Sequence, residues 1–243
     1  MDEPARGRGI GRSAALALAQ AGAEVWLLAR TAAEIEQAAV EIRAAGGNAR
    51  AVACDVTDAA AVRRVVSAVP VLDVLVNNAG MNIPEPFVEV SEAHFDQVLD
   101  LNVRAMFLVA QAAVQKMLQT PDRKARGGAI INITSQMGHV GAPTRTVYCL
   151  TKHAIEGFTK ALAVELAMHN IRVNSIAPTF LDTPMTQPMF ARTEFAKWVL
   201  DRIPMGRLGR LDEVAAAVVF VASEAASLMT GTSLVIDGGW TAQ

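Results

Sequence analysis

A chain of 243 residues, 52% hydrophobic and 19% charged, has the means to bury a substantial core in one large domain or two small ones. Its 22 basic against 24 acidic side chains leave a net charge of −2, which excludes a general field for nucleic acid or an anionic membrane. No apolar run approaches the ~20 residues that span a bilayer, and the first six residues lack the apolar stretch of a signal peptide. The two cysteines, Cys54 and Cys149, have no metal-ligand spacing, so the expectation is a cytoplasmic protein with buried thiols and no metal.

In chain order, Gly7-Arg8-Gly9-Ile10-Gly11 precedes a helical pattern over 12–21. Glycines there let a backbone turn approach a pyrophosphate at the positive end of the helix, although by itself such a motif is first a turn. The apolar run 24–29 reads as a strand ending at Arg30. A dinucleotide fold often places an acid there against the ribose 2′-hydroxyl; an arginine without that acid suits a 2′-phosphate, and Arg8 adds a second positive charge. A helix over 32–45 leads to a strand over 49–54, followed by Asp55 and Val56. The next strand, 72–76, runs into Asn77-Asn78-Ala79-Gly80, either a capped turn or a binding loop at a strand's carboxyl end.

A long helix is expected over 91–118, with Asn102 polar among apolar neighbours and in need of a buried partner. Residues 119–128 read as a basic, solvated loop. Strand 129–134 ends at Ser135, and a helix over 147–169 carries Tyr148, the chain's single tyrosine, with Lys152 four residues on. That spacing puts both side chains on one helical face, where an ammonium lowers a phenol pKa from its usual ~10. Strand ends and following helix starts share one rim of a sheet, so the Ser135 and Tyr148 hydroxyls can flank one substrate oxygen. Strands over 171–177 and 233–236 bracket an irregular Pro-, Met- and aromatic-containing stretch, 183–209, which reads as a lid over a pocket. Continuous apolar strands alternating with helices predict an α/β chain, a single Rossmann-type doubly wound parallel sheet with helices on both faces, in one domain over 1–243.

Six motifs in this order resemble the short-chain dehydrogenase/reductase family: Gly9-Ile10-Gly11, Asn77-Asn78-Ala79-Gly80, Asn102, Ser135, Tyr148 with Lys152, and Ile171-Arg172-Val173-Asn174-Ser175-Ile176-Ala177-Pro178, with the ending Ile236-Asp237-Gly238-Gly239-Trp240 alongside. The resemblance implies hydride transfer between NADP(H), favoured over NAD(H), and a secondary alcohol or ketone. It implies Tyr148 as acid/base, Lys152 depressing the phenol pKa and holding the nicotinamide ribose, Ser135 bonding the reacting oxygen, and Asn102 in a water relay. Cofactor contacts are implied for Gly7, Arg8, Gly9, Ile10, Gly11, Arg30, Asp55, Val56, Asn77, Ala79, Gly80, Tyr148, Lys152, Pro178, Thr179, Leu181 and Thr183. Asn82, Gln136, His139, Arg145 and Met185 are the candidate substrate contacts, the polar ones suiting a sugar acid or polyol. Reduction of a 3-oxoacyl thioester is the alternative within the enzyme class. The family also implies a homotetramer, with a dimer as the alternative, that has the helices over 91–118 and 147–169 and the C-terminal strand at its interfaces.

Two departures stand out. The family opens with a short apolar strand running into Thr-Gly-x-x-x-Gly-x-Gly, whereas here Pro4-Ala5 occupy the Thr-Gly positions after Met1, Asp2 and Glu3. The expectation is a sheet without its first strand, which exposes two central edges and forfeits on the order of 10 kcal/mol of burial. The chain then starts upstream of this Met1, or folds by rearranging, or serves as a non-redox binding or regulatory protein on the same scaffold. Thr179 stands where the family often has glycine, which narrows the nicotinamide side of the pocket.

Overall fold

The computed structural model describes residues 9–183, 186–191 and 193–243. In chain order the elements are α1 (Ile10–Gln20), β1 (Glu24–Ala29), α2 (Ala32–Ala44), β2 (Asn48–Ala53), α3 (Ala59–Ala68), β3 (Val74–Asn77), α4 (Glu92–Leu99), α5 (Met106–Leu118) and α6 (Arg123–Arg126). There follow β4 (Gly128–Ile133), α7 (Thr146–Leu166), β5 (Ile171–Pro178), α8 (Gln187–Phe190), α9 (Thr193–Leu200), α10 (Leu211–Ala222) and β6 (Ser233–Ile236). The alternation is that of a Rossmann-like α/β fold with parallel strands and covering helices.

The residues group into two compact units, one from positions 1–53, 178–219 and 236–243, the other from 54–177 and 220–235. In the first, β1 and β2 pair in parallel from Glu24 against Asn48 to Ala29 against Ala53. Ile35, Ala38, Ala39 and Ile42 recur at helical spacing along one face of α2 and pack with Leu27 and Ala49 of the strands. An Arg12–Glu41 ion pair ties α1 to α2. Elsewhere in this unit Phe180, Phe190, Phe195, Trp198 and Trp240 form one aromatic group, with ring centroids 5.5 to 6.0 Å apart.

The second unit is built on β3-β4-β5-β6. Val74 to Asn77 align with Ala129 to Asn132, and Gly128 to Ile133 with Ile171 to Ile176. Ala129 through Ile133 are all buried, which is why β4 reads as a continuous apolar run rather than an alternating one. Met117, Ile130, Ala163, Leu166, Ile171 and Val173 make the core between this sheet and its helices.

Three sequence expectations need correction. The single sheet is found as two, a two-stranded β1-β2 and a four-stranded β3-β4-β5-β6; among the described residues no strand pairs with the second edge of β1 or of β3. Every residue of β3 is only partly buried. The expected helix over 91–118 is interrupted by a π-helical turn, Asp100–Ala105, which separates α4 from α5. Together they form a stretch, Glu92–Leu118, long and apolar enough by composition to cross a membrane, yet it contributes Val98, Met106, Ala110, Ala113 and Met117 to the protein's own core. The basic loop is not simply solvated: Arg123, on the single turn α6, is 5% exposed. Its guanidinium pairs with Asp73 at 3.0 Å and donates to the carbonyls of Met117 (3.0 Å), Leu72 (2.8 Å) and Gly127. Four acceptors explain why a charge is tolerated there.

Candidate active site

The second unit brings the four predicted catalytic residues together. Ser135 follows the C-terminal end of β4, Tyr148 and Lys152 lie one turn apart near the start of α7, and Asn102 sits in the π-helical turn. Side chains in such a turn are re-aimed relative to a regular helix, and such turns recur at functional sites. Asn102, 1% exposed, donates to the Met81 carbonyl at 2.8 Å and to Thr151 Oγ1 at 3.1 Å. Its Oδ1 accepts from the Met81 amide at 2.8 Å. One buried amide therefore clamps both backbone groups of the residue after Gly80 and reaches the neighbour of Lys152. A Cβ on Gly80 would stand 3.3 Å from Asn102 Oδ1 and 3.7 Å from Lys152 Nζ, so a side chain there would crowd both groups.

The Tyr148 phenol is hydrogen-bonded to the Ser135 side chain. Ser135 Oγ donates to Gln136 Oε1 at 2.7 Å and accepts from the Met137 amide at 3.1 Å, which fixes the hydroxyl's direction. The Lys152 ammonium donates to the Ile133 carbonyl at 3.0 Å and lies 5.5 Å from the centroid of the Tyr148 ring. Burial lowers the Lys152 pKa to about 8, against an opposing pull from Glu156. Burial likewise raises the Tyr148 phenol above its ordinary value, with the Ser135 hydrogen bond and, more weakly, the Arg145 charge acting the other way. The sequence expectation that Lys152 lowers the phenol is thus corrected: desolvation wins, and the two groups that offset it are Ser135 and Arg145. Arg145 itself is buried, donates to Thr144, and has its pKa lowered by burial.

Around this set, Gln136 is 1% exposed and its Nε2 has no hydrogen-bond partner; Asn82 Oδ1 is likewise buried and unpartnered. His139 turns to Ser233, with Nε2 2.9 Å from its hydroxyl and 3.4 Å from Glu156. The sequence reading missed Glu156, although its place four residues after Lys152 on the same helix was a signal that could have found it.

The expected cofactor residues are spread over both units. Gly7, Arg8 and Met185 lie outside the described residues. Gly9 caps α1 with φ 117°, a conformation that side chains rarely adopt, and Ile10 and Gly11 open the helix with neither a side-chain cap nor an acid in its first turn. Arg30 is exposed at the C-terminal end of β1. Asp55 makes a tight turn with Thr57, accepting from its amide at 3.0 Å and its hydroxyl at 2.8 Å; Val56 between them is partly buried. Asn77 is bonded across the sheet to Asn132 at 2.9 Å, while Ala79 and Gly80 are exposed. In the first unit, Pro178 ends β5, Thr179 has a buried unpartnered hydroxyl, and Leu181 bridges to Gly209. Thr183 and Thr186 lock a turn through hydroxyls 3.0 Å apart.

A family model described as Enoyl-(Acyl carrier protein) reductase matches residues 5–241. The chain is 37% identical over 238 residues to L-xylulose reductase of Bos taurus, covering 97% of this chain and 93% of the relative. It is 40% identical over 238 residues to cyclopentanol dehydrogenase of Comamonas testosteroni, covering 96% and 93%. The structure is similar, with TM-score 0.90 and 33% identity over 98% of this chain and 92% of the other, to a gluconate 5-dehydrogenase from Burkholderia cenocepacia J2315 in complex with NADP and tartrate. Ser135 bonded to Tyr148, with Lys152 against the ring and Asn102 behind the same loop, thus sits within a match spanning nearly the whole chain: the protein belongs to the short-chain dehydrogenase/reductase family of oxidoreductases.

Proposed function

We propose that this protein uses NADP(H), in preference to NAD(H), to interconvert a secondary alcohol and a ketone on a sugar acid or polyol. The Ser135–Tyr148 hydrogen bond, with Lys152 packed on the tyrosine ring, carries this reading. The residues present fit the dinucleotide. The N-terminus of α1 behind Gly9, without a side-chain cap among the described residues, suits a pyrophosphate, and the unpartnered Thr179 hydroxyl is a buried group in want of a polar ligand. Arg30 stands at a β1 end without an acid and supports the 2′-phosphate preference. NADPH, when bound, supplies the hydride.

A phenol held above its ordinary pKa is protonated at neutral pH, so Tyr148 is set to give its proton to the carbonyl oxygen in the reductive direction. The Ser135 hydroxyl, whose proton goes to Gln136 Oε1 in the free site, turns that proton to the same oxygen when substrate binds. Lys152 brings positive charge beside the ring; Asn102 fixes the Met81 backbone and supports the proton relay. Gln136 Nε2 and Asn82 Oδ1, a free donor and a free acceptor, favour a polyhydroxylated substrate over a cyclic hydrocarbon alcohol, since a site built around polar groups rejects ligands that leave them unpaired. Arg145 and His139 add positive charge or donors for a carboxylate, and Met185 of the expected lid completes the set.

The same reading places the chain in the cytoplasm as one dinucleotide-binding domain over 1–243, with 183–209 as the substrate lid, and with no nucleic acid, membrane or metal partner. It assembles as a homotetramer, or as a dimer at the smallest, through the stretches over 91–118 and 147–169 and the C-terminal strand, where Phe107 and Leu118 on α5, Leu150 and Val164 on α7, and Met168 just beyond α7 are exposed. Purified protein assayed with NADPH against L-xylulose, 5-ketogluconate, cyclopentanone and an acetoacetyl thioester is expected to favour the first two. Faster turnover of the thioester would favour the 3-oxoacyl reading, and no turnover or cofactor binding at all would favour a non-redox scaffold.

A further inference from the structure

Glu156 is a buried acid for which the reaction as described has no use. It is 6% exposed, yet every oxygen is occupied: Oε1 accepts from Thr134 Oγ1 at 2.6 Å and from Ser233 Oγ at 3.1 Å, and Oε2 accepts from Ser175 Oγ at 2.7 Å. The ring of His139, 3.4 Å from Oε1, closes the group on its more exposed side. A carboxylate withdrawn from water is costly unless bonded in this way, and three hydroxyls drawn from the end of β4, from β5 and from β6 satisfy it.

What it holds is more telling than how it is held. Three consecutive residues at the end of β4 face three different partners: Ile133 gives its carbonyl to Lys152, Thr134 gives its hydroxyl to Glu156, and Ser135 meets Tyr148. Glu156 also lies one helical turn beyond Lys152 and is the charge acting on that ammonium. It therefore touches the strand end and the helix that together carry the reacting groups.

We propose that Glu156 is a positioning residue of the reaction: a buried carboxylate, one turn beyond Lys152, that pins through Thr134 the Ile133–Ser135 strand end whose Ile133 carbonyl takes the Lys152 ammonium and whose Ser135 meets Tyr148. The proposal rests on the reading of Ser135, Tyr148 and Lys152 as the reacting set. Among the described residues, the charged or titratable groups facing this cluster are few. Glu156, Tyr148, Cys149 and Arg145 come from α7 and the segment leading into it, and His139 from the turn after β4. The β3 loop and the π-helical turn contribute uncharged Gly80 and Asn102.

Glu156→Gln removes the charge and keeps the shape. Removing an anion beside an ammonium favours the neutral amine, so the Lys152 midpoint must fall. Trace acetylation across the alkaline range, with Lys152 quantified in the digest, reads that midpoint without substrate. It is expected to drop by about one pH unit, which is about a tenfold gain in reactive amine at a pH well below both midpoints. The descending alkaline limb of kcat/KM for ketone reduction is expected to move down with it. Glu156→Asp, which keeps the charge, is expected to label within about threefold of the parent and serves also if the Gln variant does not fold. An unchanged midpoint in Glu156→Gln, or a tenfold shift in Glu156→Asp, overturns the proposal. A parent protein inactive on every carbonyl substrate, yet showing the labelling shift, rejects the functional reading while leaving the hold of Glu156 on Lys152 intact.

Discussion

Burying the Lys152 ammonium has a cost that folding must bear, and the cost has a signature in pH. The folded-state pKa is about 8, against 10.5 for a lysine in an unfolded chain. Below about pH 8 both states carry the proton and the penalty is present in full. Between the two values the folded protein has released its proton while the unfolded chain still holds one, so stability rises with pH. Above 10.5 the penalty is gone. The difference between the two pKa values corresponds to on the order of 3 kcal/mol. Lys152→Met keeps the volume of the stem and removes the titration. Urea unfolding followed by tryptophan fluorescence, for parent and variant across about pH 7 to pH 11, isolates the term, because groups common to both cancel in the difference. The expected result is a parent-minus-variant stability that climbs by about 3 kcal/mol through that window. A flat difference would show that Lys152 carries no desolvated charge and would refute the reasoning about the site's electrostatics.

Two further substitutions probe other parts of the account. Arg123→Ala strips the partner from Asp73 and from three backbone carbonyls, and is expected to cost about 3–5 kcal/mol in urea unfolding; a cost below about 1 kcal/mol would mean that the basic turn is merely solvated. Arg30→Glu replaces the proposed reader of the 2′-phosphate with an acid, and the ratio of kcat/KM for NADPH over NADH is expected to fall roughly 10- to 100-fold. An unchanged ratio would remove Arg30 from cofactor choice.

Much of this was legible in the sequence because strands buried on both faces announce themselves. The runs over 24–29 and 233–236 fall on β1 and β6, and those over 129–134 and 171–177 lie within a residue of β4 and β5. The four residues expected to react share one unit because strand ends and helix starts meet at one rim, and that follows from order alone. What stayed hidden depends on register between distant segments. Glu156 finds Ser175 and Ser233, 19 and 77 positions away, only once β5 lies beside β4 and β6 beside β5. Arg123 reads as a surface charge until Leu72 and Asp73 arrive from some fifty residues upstream. The sign of the Tyr148 shift was misjudged for a related reason: the Tyr–Lys spacing is visible in the sequence, but the depth at which the pair is buried is not.

The central claim is that Tyr148 hands a proton to the substrate oxygen, and Tyr148→Phe tests it by deleting one atom. Ketone reduction with saturating NADPH, measured beside calorimetric binding of NADPH to the same preparation, separates chemistry from cofactor site. Turnover is expected to fall about 10²- to 10⁴-fold with NADPH affinity unchanged. Turnover close to that of the parent would contradict the assignment of Tyr148, and with it the account of the site.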